Sequence, residues 1–287
     1  LSFFVNQVII GIQLGSQYMM MALGLTLIFG ILDISHFAHG HIYMVGAYLL
    51  YIFSVLLGIN YWLALPLCMA ALALAGVLVE RLVYRPLRGT PSINTFIAAI
   101  GLLLAIETLV RGIKKDAVRV PVPVDRSVSV LGMSLEVQRI IVILGALVIL
   151  LLLQWFIQRT RLGIAIEAMA QDREGASLVG INVNRISALT FAIASALAGV
   201  AAVLMAPLGS ITPEMGNLLI LKAFVIVVIG GLGSIKGAIA GGYILGIIEA
   251  LGVAYISSTY KDVFAFALLI IILAVKPTGL FGERTAS

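Results

Sequence analysis

No Asp, Glu, Lys or Arg occurs between Leu1 and Leu32, and none between Ile34 and Val79. A helix that crosses a bilayer needs about 20 consecutive apolar residues. The first run therefore holds one crossing. The second is too long for one and reads as two, jointed at Gly58-Ile59-Asn60, because Gly and Asn are turn formers. A soluble globule carries about 25% charged residues, whereas this chain has 11% charged and 62% hydrophobic residues. A β-barrel would alternate apolar and polar residues along short strands, and these runs are continuous. Helices satisfy their own backbone hydrogen bonds in lipid. The expected fold is all-α: one polytopic transmembrane helix bundle over residues 1–287, with eight or nine spans.

The spans read as 8–31, 42–57, 62–80, 93–110, 140–158, 186–208, 217–232, 237–256 and 262–276. A polar loop with two prolines follows Glu80. Residues 111–138 are polar, and the alternating valines of Val118 to Val130 suit a short extended segment outside the lipid. Residues 159–185 are the longest polar stretch that still reads as helical. Counting Lys and Arg does not orient the chain: 81–91 and 159–185 together carry seven, and 111–139 opposite carries six, a weak bias for a rule about short loops. No cleavable signal peptide is expected, for want of a basic n-region and an A-x-A-like site. The single cysteine, Cys68, lies in an apolar run and reads as packing.

The formal charge of +5 does not point to nucleic acid, because the cations lie in short loops between apolar runs. The G-x-S-x-G elbow, H-E-x-x-H and G-x-x-x-x-G-K-[ST] are all missing. The expectation is a non-enzymatic chain with no cofactor or metal. If ATP drives it, another chain must hydrolyse the ATP.

Three stretches stand out. The first runs from Asp33 to Tyr48 and carries Ser35, His36, His39, Gly40 and His41. Histidines three apart share a helix face and would suit a metal, but a broken helix between spans is the simpler reading. The second is Gly230-Gly231-Leu232-Gly233-Ser234. Its glycines either let helices pack closely or interrupt a helix beside a substrate path. The two Gly-interrupted segments lie in opposite halves of the chain, which hints at an internal repeat. The third is Asp172 to Gly180. Asp172 reads as an N-cap and Gly180 as the C′ residue of a helix of about two turns. That helix is expected to carry Ala176, Leu178 and Val179 outward, with Asp172, Arg173 and Glu174 at the rim and Gly175 allowing close approach. An interfacial amphipathic helix is the competing reading.

Glu174-Gly175-Ala176-x-x-x-Gly180 resembles the first half of the E-A-A-x-x-x-G loop of ABC importer permeases. The blocks Gly24-Leu-Thr-Leu-Ile-Phe-Gly30, Phe37-Ala-His39-Gly40-x-Ile-Tyr43-Met-x-Gly46-Ala47-Tyr48, Glu80-Arg81-x-x-Tyr84-Arg85-Pro86-Leu-Arg88, Ala176-Ser-Leu-x-Gly180-Ile-Asn182, Gly230-Gly231-Leu-Gly233-Ser234-Ile-x-Gly237-Ala and Lys276-Pro277-Thr-Gly279 resemble the branched-chain amino acid permease family of bacterial ABC importers. They run in order over nearly the whole chain. The family usually carries Asn where this chain has His36, and an acidic residue where it has His41.

The resemblance implies a multi-pass permease of the bacterial inner membrane. Its implied partners are a second, homologous permease, two cytoplasmic ATPase subunits and a periplasmic amino-acid-binding protein. It places 81–91 and the coupling loop 159–185 in the cytoplasm and 111–138 in the periplasm. It makes Asp172, Arg173, Glu174, Gly175, Ala176, Leu178, Val179 and Gly180 the expected ATPase contact. Ser35, His36, His39, Gly40, Gly230, Gly231, Gly233 and Ser234 are the expected path. Urea, short amides and other amino acids remain alternative substrates. An ion-coupled transporter would need ionisable residues inside spans; Glu107 and Glu249 are the candidates, both read as near span ends. A channel filter or charged ring does not appear.

Overall fold

The computed structural model describes residues 2–130 and 133–281. Eleven α-helices occur among them: α1 Ser2–Leu32, α2 His39–Tyr51, α3 Tyr61–Val79, α4 Ser92–Ile113, α5 Val137–Arg159, α6 Arg161–Gln171, α7 Arg173–Leu178, α8 Val183–Met205, α9 Met215–Gly230, α10 Ile235–Tyr255 and α11 Lys261–Val275. Eight helical stretches are long and apolar enough to cross a membrane. The ninth expected span, α9, has 16 residues, or about 24 Å at 1.5 Å per residue, short of a hydrocarbon core of about 30 Å. The extended segment of the polar stretch is an antiparallel pair, β1 Ser127–Val130 with β2 Met133–Glu136. Val118 also bridges Ile211, tying this stretch to the turn before α9.

Local chemistry sets several helix starts. Asn60 accepts from Trp62 N at 2.9 Å, Asn182 from Arg185 N at 3.0 Å and Ser234 from Gly237 N at 3.0 Å. Each satisfies an orphan donor of a first turn.

α1 and α8 form the centre, with 83% and 72% of their most apolar stretches buried; α4 and α11, with 6% each, lie at the edge. α1 packs most extensively on α10, and small residues set that contact. Gly11-x-x-x-Gly15 faces Gly242-x-x-x-Gly246: a Cβ on Gly246 would lie 2.6 Å from Gly15 Cα, and one on Gly11 would lie 2.7 Å from Ile247 Cα. Dispersion between close backbones replaces the hydrophobic effect, which is weak between helices in lipid.

The segment after α11 turns back on the bundle. Leu280 N donates to Ile229 O at 2.7 Å and Phe281 N to Gly230 O at 3.0 Å. These two bonds occupy carbonyls at the end of α9 that have no partner within the helix.

Candidate functional site

The 159–182 loop folds as two short helices. Thr160 caps α6 by accepting from Gly163 N at 3.0 Å. Asp172 then breaks the helix with extended backbone (φ −152°, ψ 107°) and caps α7, accepting from Glu174 N and Gly175 N at 3.0 Å each. The far end is a Schellman motif: Gly180 N donates to Ser177 O at 3.1 Å, Ile181 N donates to Ala176 O at 3.1 Å, and Gly180 has φ 88°. A helix of six residues is unstable alone, so this one depends on both caps and on what lies beneath it. Leu178 and Val179 are 87% and 77% exposed, but Ala176 is 5% exposed. The expectation that Ala176 points outward is therefore corrected. α7 packs back on α8, and Ala176 lies on its inner face. The proximity of a Gly175 Cβ to Asp172 Oδ2, 2.5 Å, gives Gly175 a reason within the cap itself.

A buried carboxylate braces this loop. Glu80 has no exposed surface, yet it pairs with Arg85 Nη2 at 3.0 Å and with Arg88. Arg85 Nη2 also donates to Asn184 O at 3.3 Å, and Arg88 donates to the Asn184 side chain. The end of the α3 stretch is thus fastened to the first turn of α8, directly after α7. Burial lowers the Arg88 guanidinium from its ordinary value, Glu80 opposes that shift, and repulsion from Arg173 and Arg85 adds to it. Arg173 opens α7, so the brace and the loop share one electrostatic neighbourhood.

The two Gly-interrupted segments meet in part. A Cβ on Gly30 would lie 2.6 Å from Gly233 Cα, and one on Gly216 would lie 2.6 Å from Gly40 O. Gly230 abuts Gly237 across the turn, where Gly231 takes φ 98° and Gly233 φ 81°. Gly40 and Gly230 sit against opposite ends of α9, so Ser35–Gly40 and Gly230–Ser234 do not form one cluster. His36 turns to the stretch after α3 and to α8: its Nδ1 is 2.7 Å from Tyr84 Oη, and its ring packs edge-on against Tyr84 and Phe191. Burial drives the His36 imidazole well below its ordinary value, and His39 adds to the shift. His41 instead meets Glu107 at 3.2 Å. Among the described residues no three His, Cys, Asp or Glu side chains converge as a metal site would require. Gly233 and Ser234 border a cavity of about 330 Å³ between α1, α5, α6 and α10.

A buried ion pair escaped the sequence reading. Lys222 of α9 lies 2.6 Å from Glu249 Oε1 of α10 and 3.1 Å from Asp262 Oδ1 of α11. Tyr18 of α1 donates to Glu249 Oε2 at 2.8 Å. Glu249 is thus buried at a junction of four helices. The signal available was a lone lysine inside the apolar run 217–232.

The family described as the permease component of the branched-chain amino acid transport system matches residues 7–273. The chain is 39% identical to the high-affinity branched-chain amino acid transport permease BraD of Pseudomonas aeruginosa, over 98% of this chain and 96% of the relative. It is also 39% identical, with the same coverage, to LivH of Escherichia coli K12. The permease LivM of E. coli is 27% identical, over 92% of this chain and 67% of its own length. Among solved structures, PsaBC from Streptococcus pneumoniae has the same fold at a TM-score of 0.54 and 14% identity, covering 97% of this chain and 94% of that one. The chain belongs to the branched-chain amino acid transport permease family.

Proposed function

We propose that this chain is the non-catalytic permease subunit of an ATP-driven importer of branched-chain amino acids in the bacterial inner membrane. The observation that carries the reading is near-full-length similarity to BraD and LivH, permeases of high-affinity branched-chain amino acid transport. A second, homologous permease completes the path. The similarity to LivM supports such pairing within one fold family. A periplasmic binding protein delivers the amino acid, and two ATPase subunits work from the cytoplasm, on the side of 81–91 and 159–185.

In this reading α7 is the lever. Its caps make it rigid, Leu178 and Val179 fill an apolar pocket on an ATPase subunit, and Asp172, Arg173 and Glu174 pair at the rim of that pocket. Gly175 and Gly180 serve the caps, and Ala176 seats the helix on α8. The brace from Glu80 through Arg85 and Arg88 to Asn184 passes displacement of the loop to α3 and α8. Ser35, His36, His39, Gly40, Gly230, Gly231, Gly233 and Ser234 flank the path as small or uncharged groups, which do not hold a zwitterion tightly.

Reconstitution tests the proposal. In vesicles holding only this chain, neither ATP hydrolysis nor leucine accumulation is expected. Adding the second permease, the ATPase subunits and the binding protein restores ATP-dependent uptake. Uptake by the chain alone on a proton or sodium gradient would overturn the reading.

A further inference from the structure

The cavity between α1, α5, α6 and α10 combines features the loop and the glycine turn do not explain. Its wall is apolar and built from Leu27, Ile31, Leu153, Ile157 and Ile166, all buried residues. Thr26 also lines it and is 2% exposed. Two exposed residues of opposite charge also line it, Glu167 of α6 and Lys236 of α10. Neither joins an ion pair among the described residues. Lys236 lies in the first turn of α10, where free backbone N–H groups and the helix dipole favour an anion.

We infer that this cavity binds a zwitterionic aliphatic α-amino acid. Its carboxylate lies against Lys236 and the start of α10, its ammonium against Glu167, and its branched side chain among the apolar wall residues. The volume, about 330 Å³, falls at the lower end of the range of about 300–1,000 Å³ for small-molecule sites, which suits one amino acid. Two rim charges of opposite sign over an apolar interior match a zwitterion with a hydrocarbon tail. They do not match urea or a short amide, which would leave the wall unfilled. The occupant touches α6, which leads through Asp172 into α7, so the site lies on the loop's side of the molecule. The inference rests on the transport reading above and adds a place where the substrate pauses.

The test uses the full chain in nanodiscs without binding protein, probed with radiolabelled leucine, alongside uptake by the assembled transporter. Saturable leucine binding is expected, competed by isoleucine and valine but not by N-acetyl-leucine amide, which lacks both charges. Glu167→Gln and Lys236→Gln, both at exposed positions, should each weaken it by about tenfold or more, the scale of a lost charged hydrogen bond. Three results overturn the cavity assignment alone while leucine uptake persists: no saturable binding, binding indifferent to both charge variants, or a phospholipid retained at the site that leucine does not displace in native mass spectrometry. A fully assembled transporter that accumulates no branched-chain amino acid overturns the functional reading and this inference together.

Discussion

α8 and α4 have nearly equal mean hydropathy and opposite fates: 72% of one is buried and 6% of the other. The difference is side-chain size. α8 presents Ser195, Ala198, Gly199, Ala201 and Ala202 to its neighbours, all buried or nearly so. α4 presents Ile93, Ile97, Leu104 and Leu109 outward. Lipid tails are as apolar as leucine, so apolarity alone cannot pull a helix inward; backbones that approach closely can. Beyond an edge-on contact of Phe96 with Phe37, much of what attaches α4 is polar. Glu107 accepts from Asn217 at 3.0 Å and from Arg111 at 2.5 Å and meets His41, and Arg111 reaches Glu214 at 2.9 Å. One class of helix is held along its length by shape, and the other leans on a few charges and a small apolar contact.

The largest test of that contrast is Gly246→Leu. The side chain would overlap the Gly15 backbone, which cannot rotate away. A loss of more than about 3 kcal/mol is expected, at or beyond the usual overpacking range, read as loss of monodisperse protein on fluorescence-detected size exclusion. Lys222→Met comes next. It leaves buried Glu249 and half-buried Asp262 without their cation, at about 3–5 kcal/mol, read as a lowered melting temperature in detergent; Lys222→Met with Glu249→Met should recover part of the loss. Glu107→Leu should cost about 1–3 kcal/mol as the α4 tether goes, read as faster proteolysis around α4 while the rest of the bundle resists. Leu104→Ala on the lipid side should stay within about 0.5 kcal/mol. Leu178→Asp should be just as neutral for stability, yet abolish substrate-stimulated hydrolysis in the assembled transporter. If Leu178→Asp leaves hydrolysis intact, exposure on α7 means the same as exposure on α4, and the lever assignment fails.

The span pattern was legible because charge-free runs report directly on the bilayer. So were the caps of α7, since Asp172 and Gly180 act on their immediate neighbours. Ala176 was misread because the spacing of residues shows which share a face, but not which face meets α8. The contact between Gly11-x-x-x-Gly15 and Gly242-x-x-x-Gly246 joins the two ends of the chain, and neither half names its partner. Lys222 stood in plain sight within an apolar run, but Glu249, Asp262 and Tyr18 come from three other helices. His36 drew attention as a ligand type, whereas its surroundings are Tyr84 and Phe191.

The hydrogen bonds from Leu280 and Phe281 to the end of α9 impose an order on biogenesis. A ribosome releases α9 before α10 and α11, so the carbonyls of Ile229 and Gly230 emerge with no backbone mate and wait through two further insertions. The partners of these two carbonyls come from a stretch synthesised some fifty residues later, so the end of α9 is closed only after α10 and α11 have followed it.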